Sequence, residues 1–171
     1  MTDVGRIQAA PPAPAVPRPQ IQVVPLRGLP VVAAVVVFVS VSIAGNWLWA
    51  LTFCHVAGGG LWTAIDLFVG LIVGPILARL SVPARAEFTA RFMPKMVLLM
   101  PTLVLMTLAA GFQLALQEGN LAPGNPNHAW LVVSFVVVGV MAVIALGVLE
   151  PANIAVLFEM RKAQPDGTVI A

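Results

Sequence analysis

Two histidines are the residues in this chain best able to do chemistry. His55 stands just ahead of Ala57, at the start of one apolar run, and His128 just ahead of Trp130, at the start of another. Neutral imidazoles facing each other across a helical bundle make the ligand set of a b-type haem or, with further donors, of copper or zinc. As the first residues of two parallel helices they would share one depth near the outer membrane face. Asp66 follows His55 by eleven positions, about 16 Å along a helix. It is the only ionisable residue deep inside an apolar run, where a carboxyl costs roughly 2.5–3.5 kcal/mol and is a functional hypothesis by default. His55, Gly59, Trp62, Asp66 and Gly70 follow helical spacing, which predicts one face turned to the bundle interior or a partner. On this reading His55 and His128 ligate the metal, Trp62 packs beside the ring, and Asp66 polarises the site or relays a proton. The bland alternative makes Asp66 a neutral carboxyl that joins two helices through Asn46, Ser40, Ser42, Thr102 or Thr107.

Other metal chemistry is weaker. Met93, Met96 and Met100 recur at helical spacing and offer thioethers to Cu(I), but methionines more often fill irregular apolar gaps. Cys54 is the sole cysteine, so no internal disulfide forms, and its neighbour His55 points about 100° away on a helix. There is no C-x-x-C-H, nucleophile elbow, phosphate loop or H-E-x-x-H, so the chain is not expected to be an enzyme on its own.

The elements that hold these groups follow from composition. With 60% hydrophobic and 9% charged residues in 171, the surface is too apolar for water, since soluble domains carry about a quarter charged residues. A membrane helix needs about 20 apolar residues. Four runs meet that length: 29–53, 57–80, 97–116 and 130–149. The expected fold is an all-α integral membrane protein, an up-down four-helix bundle within residues 29–150. Its first outer connection falls around Cys54 to Gly60 and its second at Glu118 to Asn127. Residues 1–28 form a proline-rich arm of extended polyproline character, and 151–171 an interfacial helix or continuation of the fourth helix followed by a tail.

All 9 basic residues precede the first run, lie from the last turn of the second (Arg79) up to the third, or follow the fourth. The positive-inside rule then puts both termini and the central loop in the cytoplasm. Trp47, Trp49, Trp62 and Trp130 are expected at the opposite interface. The basic residues favour anionic lipid over nucleic acid, which is excluded as a partner. Gly70-x-x-x-Gly74 and Thr107-x-x-x-Gly111 carry the spacing that lets helix backbones approach, within the bundle or against another subunit. Pro75 and Pro101 free carbonyls that neighbours or a local kink must satisfy.

His55-Val-Ala-Gly-Gly-Gly-Leu-Trp62 leading to Gly70 and Gly74-Pro75, Arg91-Phe-x-Pro94, Thr107-x-x-x-Gly111 and the closing Arg-Lys-x-x-Pro-Asp-Gly together resemble a known assemblage. It comprises small membrane proteins related to the copper-resistance D group and to the membrane part of cytochrome-linked urate oxidases. The resemblance spans about residues 48–167. It implies a bundle of four or more spans and helix-borne histidines as haem or copper ligands, and it carries over to His55; His128 matches none of its motifs. The expected function is a plasma (inner) membrane redox-linked or accessory subunit, multi-pass, binding a b-type haem, with other membrane subunits or further copies as partners. A cofactor-free anchor of a larger complex is the alternative, and a copper or small-solute transporter the third reading.

Overall fold

In a computed structural model, residues 24–159 are described; the proline-rich arm up to Val23 and the tail from Met160, including its Arg161 and Lys162, lie outside them. Four long helices follow one another, with no strand among the described residues. They are α1 (Leu29–Ala44), α2 (Leu48–Arg79), α3 (Val82–Gln117) and α4 (His128–Glu159). Each is long and apolar enough to cross a membrane, α1 together with the single 3₁₀ turn Leu26–Gly28 before it. Runs as rich in valine as those of α1 and α4 are β-prone in water. In lipid each backbone N–H must bond within its own segment, so helix prevails.

The first outer connection differs from the expectation. It is Gly45-Asn46-Trp47, not Cys54 to Gly60, so His55 lies two turns inside α2. The turn is a Schellman motif: Trp47 N–H donates to Ser42 O and Asn46 N–H to Ile43 O, with Asn46 left-handed at φ 52°. Asn tolerates that conformation, and its Oδ1 accepts from Gln113 Nε2 at 2.9 Å and Gln117 Nε2 at 2.6 Å on α3. The end of α3 repeats the device with Gly119 at φ 65°, Asn120 N–H donating to Ala115 O. Residues 118–127 form the expected connection between α3 and α4, at the same end of the bundle as the Gly45–Trp47 turn.

Between α2 and α3 the chain reverses at Leu80-Ser81. Arg85 reaches back, Nε donating to Leu77 O at 3.1 Å, which also accepts the Leu80 N–H, and an Nη to Ala78 O at 3.2 Å, and so adds bonds to the carbonyls of the last turn of α2. Both α2 and α4 change to π geometry in mid-course, over Val69–Val73 and Ala145–Leu149. Each π segment ends just ahead of a proline: Gly74 N–H bonds Val69 O before Pro75, and Glu150 N–H bonds Ala145 O before Pro151. The wider turn absorbs the ring that an α-helix would force against the carbonyl four residues back. The chain therefore continues past Pro151 as α4 rather than starting a separate helix, while Pro94 and Pro101 sit within an unbroken α3.

The core is small. One cluster joins α1, α2 and α3 through Val39, Leu51, Cys54 and Ala110. A second joins α2, α3 and α4 through Trp62, Leu103 and Val104, with Met100 and Ala145 against it. Trp62 is 4% exposed, so it belongs to the core and not to an interface; Trp47, Trp49 and Trp130 stay exposed at the outer ends of their helices. Most of α4 is apolar and uncovered until Leu157 packs at its far end.

Candidate functional site

Of the His55, Gly59, Trp62, Asp66, Gly70 face expected from spacing only Trp62 is buried; the α3-facing side of α2 reaches it through Leu51, Cys54 and Gly58, which leaves His55 and Gly59 one residue to the side. His55 therefore sits at the edge of the helix contact, exposed although one ring nitrogen meets α3, and Asp66 is exposed on the side of α2 away from that contact. Helix crossing sets this register. Gly58 lies so close to α3 that a methyl group there would stand 2.6 Å from Thr107 Oγ1 and 2.7 Å from Met106 Cε. Thr107-x-x-x-Gly111 is thus used inside the bundle, against Gly58 and His55. Gly70 has nothing near it and Gly74 only its own helix backbone.

His55 leans on Gly111, where a methyl group would stand 2.5 Å from Nδ1 and 2.6 Å from Cε1. That approach brings Nδ1 to 3.0 Å from the Thr107 carbonyl oxygen. A carbonyl only accepts, so Nδ1 carries the proton and the lone pair of the neutral ring is on Nε2. Ligating and proton-exchanging histidines are commonly oriented by this contact.

Around the ring is a cavity of about 130 Å³ lined by His55, Thr107, Gly111, Leu131, Ser134 and Phe135, among others. It separates α4 from α2 and α3 in their outer halves, and Phe112 meets Phe135 across it with ring centroids 6.1 Å apart. His128 is not in the lining. By register it belongs to the same face of α4, one turn above Leu131, and its Nδ1 is buried without a hydrogen-bond partner. The two imidazoles are thus not at one depth in their helices: His128 opens α4, and His55 is about 10 Å down α2.

Trp62 and Asp66 extend the same helix inward. Trp62 is a further two turns below His55, its Nε1 buried with no partner of hydrogen-bonding geometry, although the Asp66 carboxyl is the group it approaches. None of the donors expected for Asp66 is hydrogen-bonded to it, and three of them are engaged elsewhere. Ser42 donates to Phe38 O, Thr102 to Leu98 O, and Asn46 holds the two glutamines. Among the described residues no three His, Cys, Asp or Glu side chains gather as a metal site. Cys54 is fully buried in the first core cluster, and Met100 packs in the second.

Comparison with protein-family models, with characterised proteins and with solved structures gave no match.

The sequence reading missed the Asn46 latch and the Gly58 contact. Gly45-Asn46 was the available signal for the first, because Gly-Asn favours a left-handed helix end; it is easily passed over inside an unbroken apolar run. The second needed the first glycine of the Gly58-Gly59-Gly60 run to be matched to Thr107.

Proposed function

We propose that this chain is a multi-pass accessory subunit of a redox-linked complex in the plasma (inner) membrane, with both termini cytoplasmic and His55 as its working group. The observation that carries the reading is the 3.0 Å contact of His55 Nδ1 with the Thr107 carbonyl, which leaves Nε2 as the basic nitrogen of an imidazole inside a membrane-crossing helix. The distribution of the basic residues supports the orientation, as do the exposed Trp47, Trp49 and Trp130 at the opposite end. The resemblance to the copper-resistance D and urate-oxidase membrane proteins points the same way, since its most specific stretch begins at His55.

A b-type haem held by both histidines does not fit this interior as it stands. About 130 Å³ is below the roughly 300–1,000 Å³ of sites for ligands of that size, and His128 does not line the gap. The haem reading accordingly ranks behind the subunit reading. The cofactor-free anchor is favoured by the exposed Asp66 and the open backbone at Gly70, which suit contact with another membrane protein or copy. Reduced-minus-oxidised visible spectra of the detergent-purified protein, with iron and copper analysis, separate these readings. Reduced-haem bands lost in His55→Ala establish a small cytochrome. Bands that persist at full occupancy in His55→Ala refute the assignment of His55, and a colourless, metal-free protein from a haem-competent host leaves the anchor reading.

A further inference from the structure

Among the described residues three polar side-chain atoms are buried without a hydrogen-bond partner: Thr107 Oγ1 beside the cavity, Trp62 Nε1 in the core cluster of α2, α3 and α4, and His128 Nδ1 at the start of α4. Thr107 decides the matter, because it is 6% exposed and lines the same cavity as His55. A threonine in a helix usually spends its hydroxyl on the carbonyl one turn back, as Thr102 does with Leu98 O. Thr107 does not, and an unpaired hydroxyl in an apolar interior is costly.

Size and polarity agree on what would satisfy it. About 130 Å³ is room for roughly four waters at about 30 Å³ each. The surrounding polar groups are His55, Thr107 and Ser134, whose Oγ already donates to Trp130 O and keeps its lone pairs for an incoming donor. His128 stands one turn above, at the outer end of α4. A second gap of about 130 Å³, between α1 and α3, offers the internal contrast. Its threonine, Thr102, is satisfied by Leu98 O, and neither Thr102 nor Ser40, its two polar lining residues, has a buried orphan atom.

We propose that the cavity beside His55 is a water site: a small hydrated pocket that completes the bonding of Thr107 Oγ1 and connects the His55 imidazole to the outer aqueous phase past His128. It deepens the reading of His55 as the working group and rests on it, by giving that imidazole water with which to exchange protons. The equal-volume gap between α1 and α3 stays dry.

Thiol labelling tests this without any cofactor. Ser134→Cys and Ser40→Cys are the same small change in two gaps of equal volume, each a few residues from the outer end of its helix. Each is made in a Cys54→Ala background and treated in sealed vesicles of both orientations with a charged, membrane-impermeant methanethiosulfonate. The thiolate, which forms only where water reaches, attacks the reagent's sulfenyl sulfur, forming a mixed disulfide and releasing methanesulfinate. The Ser134→Cys thiol is expected to react about tenfold or more faster than the Ser40→Cys thiol, from the side carrying the Gly45–Trp47 turn. Equal or slower labelling of Ser134→Cys overturns the proposal. Should Cys54→Ala not fold, the same pair is compared with Cys54 retained, its fully buried thiol giving the baseline. A hydrated pocket in a colourless protein, or a dry one in a haem protein, separates failure here from failure of the functional reading.

Discussion

Gly111→Ala should unseat His55. The added methyl would stand 2.5 Å from Nδ1 and 2.6 Å from Cε1, about 1 Å inside contact, and since His55 is exposed its imidazole can swing aside. In doing so it gives up the 3.0 Å bond to Thr107 O, worth about 0.5–1.5 kcal/mol net. Residual crowding of α2 against α3 adds about 1–3 kcal/mol. Against these stands the gain of about 0.5–1 kcal/mol when alanine replaces glycine within a helix. The sum is a loss of roughly 0.5–4 kcal/mol, or a fall in melting temperature of about 1–16 °C for a chain of this length. Gly60→Ala and Gly139→Ala are the controls: neither position has any atom within 4 Å of the new methyl, so only the helix gain remains and both should melt at or slightly above the parent. The assay is thermal unfolding in one detergent, followed by far-ultraviolet circular dichroism on all four proteins. If Gly111→Ala melts with the two controls, α3 does not press on His55 and the fixed imidazole has no basis.

Two further outcomes follow from the same packing. Asn46→Ala removes the acceptor of both glutamine bonds and puts a Cβ-bearing residue without a local side-chain bond at φ 52°, so about 1–3 kcal/mol should be lost, whereas Asn46→Gly keeps the backbone and should lose less; melting of the pair in detergent checks the order. Asp66→Asn should melt within about 0.5 kcal/mol of the parent, because the carboxyl is exposed and makes no hydrogen bond to any of the donors expected to join it to another helix; a larger loss in the isolated chain would restore its role as an internal lock.

Length and polarity made the four spans legible, but not their ends. A run from Leu29 to Phe53 reads as one helix because nothing in it is charged, and only a left-handed asparagine shows that the chain turns at residue 46. That shift of one connection moved His55 from an interface to two turns within a helix, and took Trp62 from a belt into the core. Register was the other loss. Spacing by itself cannot tell whether Trp62 shares its face with His55 and Gly59 or with Cys54 and Gly58, since both sets repeat with the helix; what chose between them was the close contact of Gly58 with Thr107, a property of two helices together. The residues with chemistry were found by type, and their geometry came from glycines with none.

The two π segments suggest why α2 and α4 are built alike below this site. Both helices run in the same direction, and both meet a proline after five residues of wider turn, at Pro75 and Pro151. A π turn advances fewer degrees per residue than an α turn, so everything after it is rotated relative to the face set above. In α2 the change comes soon after Asp66. Above it the helix turns Gly58 and Trp62 to α3; below it Leu71, Ile72 and Ile76 are exposed and Arg79 ends the helix beside the Arg85 cap. In α4 it comes at Ala145, the last residue packed near Trp62, before Leu157 is brought onto the lower part of α3. Prolines thus separate each helix into an outer half fitted to the His55 cavity and an inner half aimed independently.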